Sequence, residues 1–256
     1  MSIYDDFIKQ IADFREQRQV KEFNGVVSIE KLRESMPVQV GPGANPGIIL
    51  RSDTYAELGN PTKGSMACIL WTENPSLIRD GKITLIGPDV SEEEGASRPF
   101  GQVLIVGGKR LNNESQEKIE EYQHISDHLE GYMVRSSAQN IWGRVSKDAI
   151  AKGFTLETLG KALMITIKAN VEDVEAMEVL FVTSSKEDVK VLGEMAEQVN
   201  TIRKDIIKEV WKERGYDLDC DLDCNSCANK VTCDDIREMI LTRKKREKEE
   251  ASESEG

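Results

Sequence analysis

Ala67-Cys68-Ile69-Leu70-Trp71, Ile83-Thr84-Leu85-Ile86 and Val103-Leu104-Ile105-Val106 are the runs that decide the fold. Each is a short apolar or alternating segment bounded by Gly, Pro, Asn or Asp, so each reads as a strand rather than a helix. Ile48-Ile49-Leu50, just upstream, reads as a further strand by the same rule. Together they predict a sheet of about four strands between Gly47 and Val106.

Downstream of Gly107-Gly108 the period becomes helical. Glu114 to Leu129 reads as a polar helix, and Ser146 to Ala151 and Thr155 to Asn170 as two more, with Gly153 as the break between them. Val179 to Thr183 reads as a strand, and Lys186 to Arg214 as a long helix capped by Ser184 or Ser185 and ended by Gly215. Upstream, Ile3, Phe7, Ile8, Ile11 and Phe14 fall on one helical face, which predicts an amphipathic helix over residues 4–18. A short helix from Ile29 to Met36 follows, with Ser28 as its N-cap and Pro37 as its end. The turn-rich connector Gly41-Pro42-Gly43-Ala44-Asn45-Pro46-Gly47 could aim backbone N–H groups at an anion, but it lacks the Lys-Ser/Thr ending of a phosphate loop.

The expected fold is therefore α+β, a mixed sheet with packed helices, followed by a small cysteine-rich metal-binding C-terminal segment. The expected divisions are an N-terminal helical segment over 1–40, an α+β domain over 41–215, a four-cysteine segment over 216–236, and a helix with a disordered charged tail over 237–256.

The second informative stretch is Asp219-Cys220-Asp221-Leu222-Asp223-Cys224-Asn225-Ser226-Cys227-Ala228-Asn229-Lys230-Val231-Thr232-Cys233. Cys220, Cys224, Cys227 and Cys233 lie within 14 residues, so a short loop can bring all four thiols to one metal. Structural zinc sites more often pair two Cys-x2-Cys knuckles a dozen or more residues apart, whereas bunched thiolates suit the corners of a cubane. A 4Fe-4S cluster is expected, with zinc as the alternative. Cys220, Cys224 and Cys227 alone match the spacing of radical-SAM enzymes, but those carry most of their chain after the motif, and 29 residues follow Cys227 here. The acidic neighbours Asp219, Asp221, Asp223, Asp234 and Asp235 would lower the reduction potential of a bound cluster.

Other features are less specific. Cys68 reads as a buried small hydrophobe. His124 and His128 stand at i and i+4, which on a helix would place both imidazoles on one face, without the flanking Glu of a metalloprotease. A net charge of −12 argues against a nucleic-acid partner. No apolar run approaches the roughly 20 residues that span a bilayer, so no membrane segment is expected. The N-terminus lacks the apolar core of a secretory signal, which predicts a cytoplasmic protein with reduced thiols. The basic run Arg243 to Lys248, followed by four glutamates, reads as a solvated helix end.

Three runs carry a resemblance to a known family. Glu57-Leu58-Gly59-Asn60-Pro61, Asp80-Gly81-Lys82-Ile83-Thr84-Leu85-Ile86-Gly87-Pro88-Asp89, and Asn140-Ile141-Trp142-Gly143-Arg144-Val145-Ser146-Lys147-Asp148-Ala149-Ile150-Ala151-Lys152-Gly153-Phe154 resemble, in that order, the central region of acetyl-CoA synthase. That enzyme is the beta subunit of the carbon monoxide dehydrogenase/acetyl-CoA synthase complex. The resemblance implies a mixed α/β domain followed by the start of a cluster domain, in which a 4Fe-4S cubane is bridged through a cysteine to a dinickel site. Cys224, Cys227 and Cys233 are similar to the family's first cubane thiols, with Cys220 standing in for a fourth. No Cys-Gly-Cys and no cysteine at all follows Cys233, so a complete nickel site, and with it independent acetyl-CoA synthesis, is not expected. The resemblance further implies a protein partner in a carbon monoxide dehydrogenase or related redox or acyl-transfer complex, and an accessory, electron-transfer or assembly role in anaerobic one-carbon metabolism. A scaffold with a structural zinc, or an enzyme subunit completed in trans, is the alternative. Arg135 and Arg144 are the candidates for an anionic ligand such as the phosphates of CoA, since a guanidinium fork matches phosphate oxygens. Salt bridges to carboxylates are the competing role for both.

Overall fold

The structure is a computed structural model, and it describes residues 4–25, 34, 36–41, 43–44, 48–92, 97–111, 113–123, 125, 128–137 and 140–213. Its order is α1 (Asp5–Glu16), β1 (Lys21–Asn24), β2 (Thr54–Leu58), β3 (Ser65–Thr72), β4 (Lys82–Ile86), β5 (Ser97–Arg98), β6 (Phe100–Gly107), α2 (Asn113–Tyr122), β7 (Tyr132–Ser137), β8 (Asn140–Ser146), α3 (Lys147–Ala151), α4 (Leu156–Asn170), β9 (Ala176–Val182) and α5 (Lys186–Glu213). The chain divides into two units, Met1–Asn200 and Thr201–Gly256, and every strand belongs to the first.

Two sheets form. The larger has five strands in the order β1-β4-β9-β6-β3, and the smaller four in the order β5-β2-β8-β7. In the larger sheet β3 and β6 run parallel, β6 and β9 antiparallel, β9 and β4 parallel, and β4 and β1 antiparallel, so the sheet is mixed. The protein is α+β with mixed sheets and packed helices, as the strand and helix patterns predict.

Alternation along each strand of the larger sheet sends side chains into two cores. On one face, Phe7, Ile8, Ile11 and Phe14 of α1 join Val189, Leu192 and Ala196 of α5 over Met66, Leu70, Val103 and Leu180. On the other, Leu159, Leu163 and Ile167 of α4 cover Ile83, Leu104 and Phe181, and the core continues into Leu58, Ile141 and Val145 of the smaller sheet. With both faces covered, β6 and β9 are buried at every position, which is why Val103–Val106 and Val179–Val182 read as unbroken apolar runs. Gly160 lets α4 lie close over β4, since a Cβ there would meet the Ile83 side chain at 2.8 Å.

The exception on β9 is Glu178, whose side chain is 4% exposed. It accepts from Arg15 Nη1 of α1 at 2.8 Å and from Arg79 Nη2 at 2.5 Å, and Arg79 also donates to Thr84 Oγ1 at 2.8 Å and pairs with Glu22 of β1. A buried carboxylate demands such partners, and here they tie α1, β1 and the turn before β4 to the sheet.

The Asp80–Asp89 run holds both ends of β4. Asp80 Oδ1 accepts from the Met177 N–H at 2.9 Å and from Lys168 Nζ at 2.6 Å. Asp89 Oδ1 accepts from the Val90 N–H at 2.6 Å and the Leu156 N–H at 3.0 Å, satisfying a free donor at the start of α4. Burial pushes the Asp89 carboxyl above its ordinary range, a rise that these backbone bonds reduce but do not cancel. Helix capping follows the sequence closely: Ser146 caps α3, Thr155 and Thr158 form a capping box on α4, and Ser185 Oγ accepts from the Asp188 N–H at 3.1 Å at the start of α5.

Three expectations are corrected. Ile48-Ile49-Leu50 pairs with no strand; Ile49 is buried while Ile48 and Leu50 are 85% and 58% exposed, so a single residue anchors an extended loop. The polar helix predicted through Leu129 ends at Tyr122, and Ile125 follows with φ of 44°, so His128 lies off the helix and the i, i+4 argument for a common helix face loses its basis. His124 lies outside the described residues. The apolar patterns do not predict the hairpin β7–β8 or most of the smaller sheet, which the structure adds. Cys68 stands in β3 as expected: the residue as a whole is half-buried, but its thiol is enclosed, and burial pushes it up to about 12. The predicted helix over 29–36 falls almost wholly outside the described residues, as do the cysteine segment and the charged tail.

Candidate functional site

The smaller sheet builds a cleft against the first turns of α5. β2 pairs with β8 as far as Leu58 opposite Gly143. One residue on, Gly59 adopts φ of 71° and presses against β8 so closely that a Cβ would lie 2.0 Å from the Ile141 carbonyl oxygen. Only glycine tolerates both conditions. The chain turns away through Asn60, whose Oδ1 accepts from the Thr62 N–H at 3.0 Å and from Thr62 Oγ1 at 2.8 Å, while its Nδ2 donates to Glu57 Oε2 at 3.0 Å. β3 then begins at Ser65.

Turning β2 away leaves Ile141, two residues before Gly143 on β8, without a strand partner on that side. Ser65 supplies one: its hydroxyl donates to the Ile141 carbonyl at 2.5 Å and accepts from the Ile141 N–H at 2.8 Å. The result is a cleft of about 830 Å³. Gly59, Pro61, Gly64 and Ser65 form its floor, Arg135, Asn140 and Trp142 of the hairpin one wall, and Lys186, Val189, Lys190, Gly193, Glu194 and Glu197 of α5 the other.

Arg135 and Trp142 are direct cross-strand neighbours in the β7–β8 register, so they present to the cleft side by side. Lys186 and Lys190, at i and i+4, share a face of α5. Arg135 is exposed and makes no hydrogen bond or ion pair with the described residues. Lys186 Nζ donates to the Thr62 carbonyl at 3.3 Å, and Lys190 pairs loosely with Glu194 at 3.5 Å. The cleft thus carries positive charge toward the hairpin and the start of α5, and negative charge at Glu194 and Glu197.

Arg144 stands differently. Its Nε lies 3.5 Å from Glu57 Oε1, its Nη1 donates to the Ile49 carbonyl at 3.4 Å, and its Cζ sits 4.6 Å from the centroid of the Trp142 ring. Burial opposes ionisation of Glu57, but donation from Asn60 and Ser97 and the charge of Arg144 outweigh it and hold the carboxyl below its ordinary range. Arg144, paired with Glu57, therefore backs the indole by a cation–π contact. The structure brings Arg135 to the cleft and sets Arg144 behind its aromatic wall. Trp142, Lys186, Lys190 and Ser65 do not stand out as site residues in the sequence. The paired lysines at the start of a helix are the signal that could have found two of them.

Cys220, Cys224, Cys227 and Cys233 lie outside the described residues. Among the described residues, no three or more His, Cys, Asp or Glu side chains converge on a point that could hold a metal ion. None of the described helices is long and apolar enough to cross a membrane.

The Archaeoglobus fulgidus acetyl-CoA decarbonylase/synthase complex subunit beta is 30% identical over 186 residues, covering 71% of this chain and 35% of the relative. The Methanopyrus kandleri subunit beta is 33% identical over 181 residues, covering 70% and 38%, and the Methanosarcina thermophila subunit beta 2 is 31% identical over 164, covering 63% and 34%. The chain spans roughly a third of the length of these curated relatives. A family model described as the CO dehydrogenase/acetyl-CoA synthase complex beta subunit matches residues 36–189, a span that takes in the runs bounding the cleft at Gly59 and Trp142 and the first turn of α5. With the matching runs folded into one α+β unit, the chain belongs to the CO dehydrogenase/acetyl-CoA synthase complex beta subunit family.

Proposed function

We propose that this chain is a CoA-recognising iron–sulfur component of a carbon monoxide dehydrogenase type complex, acting in an accessory, electron-transfer or assembly role in a reducing cytoplasm. The observation that carries the CoA reading is the cleft: two basic side chains on α5 face an arginine that has no partner among the described residues, beside a half-buried indole. Phosphate groups suit the guanidinium fork of Arg135 and the ammonium groups of Lys186 and Lys190. The Trp142 ring, backed by Arg144, offers a flat face for a planar base. In this reading Arg135 meets the anion directly, and Arg144 serves the ligand by holding Trp142 in place. A carbon monoxide dehydrogenase subunit is the proposed partner, on the strength of the complexes named for the relatives.

The donor set Cys220, Cys224, Cys227 and Cys233 suits a 4Fe-4S cluster, which when bound would supply one-electron transfer. Calorimetric titration of the anaerobically purified protein with CoA tests the cleft: binding that weakens about tenfold in Arg135→Ala supports it, on the usual scale for a lost charge-assisted bond. Absence of binding to the wild type removes it. Iron, sulfide and zinc analysis tests the donor set separately. About four irons and four sulfides per chain are expected for a cubane; zinc without iron would leave a scaffold with a structural metal.

A further inference from the structure

We infer that Ser65 is the positioning residue of the cleft, a hydroxyl standing in for a missing strand and fixing the aromatic wall relative to the lysine wall. The inference rests on the CoA reading for its functional consequence, but its structural core stands apart from it.

The register is decisive. With Leu58 opposite Gly143, the register two positions further on would set residue 60 opposite Ile141. Gly59 redirects the chain, so the β2–β8 ladder stops at Leu58 and no β2 residue pairs with Ile141, whose N–H and C=O both turn to Ser65 instead. A buried pair of backbone groups left without partners is costly. Ser65 belongs to the other sheet, where β3 pairs with β6, and it satisfies both groups with one side chain. The residues on either side of Ile141, Asn140 and Trp142, line the cleft.

The opposite wall is held from the same few residues. Gly64 packs against Lys186, where an added Cβ would lie 3.2 Å from Lys186 Cγ, and the Thr62 carbonyl accepts from Lys186 Nζ at 3.3 Å. Residues 59–65 thus form a clip with Ser65 gripping β8 and Thr62–Gly64 gripping α5. A ligand that must touch Arg135 and Trp142 on one side and Lys186 and Lys190 on the other depends on the spacing that the clip sets. Ser65 lies in the floor of the cleft, but its hydroxyl both donates to and accepts from Ile141, and the role inferred for it is exerted through that residue.

Hydrogen–deuterium exchange of the Ile141 amide and CoA titration, on wild type, Ser65→Ala and Ser65→Thr, test this. Ser65→Ala is expected to speed exchange at Ile141 and weaken CoA binding, each by about tenfold, the scale of one lost buried hydrogen bond. Ser65→Thr, which keeps the hydroxyl, is expected to restore both. Unchanged Ile141 exchange in Ser65→Ala overturns the inference, as does wild-type CoA affinity in a variant whose exchange has risen. If the wild type binds no CoA, the functional reading falls, and the exchange result alone then upholds or overturns the structural role. Should Ser65→Ala fail to fold, Ser65→Cys, similar in volume but a weak hydrogen-bonding group, takes its place in the same comparison.

Discussion

The two sheets of this protein are built on different terms. In the five-stranded sheet every position of β6 and β9 is buried, and its one inward carboxylate, Glu178, is fully committed to Arg15 and Arg79. In the four-stranded sheet β8 alternates buried with half-buried residues, and Arg135 on β7 stands without a partner among the described residues. The first spends its side chains on holding the fold, whereas the second keeps some uncommitted at a cleft. Stability and recognition are therefore separable here, and substitutions in the two regions should differ in kind.

The largest stability effect should come from the larger sheet. Phe181, fully buried and stacked with Phe100 at 5.7 Å, should cost about 3–5 kcal/mol on replacement by alanine, measured by denaturant unfolding. A loss under about 1 kcal/mol, the scale of an ordinary surface change, would break the comparison. Glu178→Ala comes next, at about 3 kcal/mol, because it strands the charges of Arg15 and Arg79 near a buried face; Arg79 is partly exposed, which places the figure at the low end of the range.

A third test sharpens the contrast through its sign. The Glu57 carboxyl is held below its usual 4.5, so its contribution is present above that value and lost as pH falls through the lower folded one. The Asp89 carboxyl is raised above its usual 3.8, so its contribution is complete below that value and lost as pH rises through the higher folded one. Over about pH 3 to 6, Asp89→Asn should therefore gain stability relative to wild type as pH rises, and Glu57→Gln should lose it. Parallel slopes in urea titrations of the two variants would show that the environments are not opposed. The smallest stability change belongs to Arg135→Ala, within about 0.5 kcal/mol, since the side chain makes no hydrogen bond or ion pair among the described residues. Its effect should appear in CoA titration alone.

Much of the larger sheet can be read from the chain because burial on both faces makes a strand visible as an apolar run. Three of the four early runs are strands for that reason. Ile48-Ile49-Leu50 has the composition but no neighbour to pair with, and pairing is a property of the fold. The hairpin β7–β8 is hidden in the sequence because Arg135, Asn140 and Trp142 face the cleft and are polar or aromatic, diluting the pattern. Arg135 and Arg144 are equally plausible as sequence, and only their surroundings separate them: one has open cleft before it, the other Glu57, Ile49 and Trp142 around it.

By itself the sequence determined helices α1, α3, α4 and α5, through their caps and periodic faces, the strands with two buried sides, and the family, through three motif runs in order. These are encoded locally, in residues close to one another along the chain. The tertiary structure alone decided that Gly59 and Trp142, 83 positions apart, meet α5 around one cleft, and that Ser65 stands in for a strand that turned away. Such contacts depend on the register of distant strands, and register is settled only when the whole core packs.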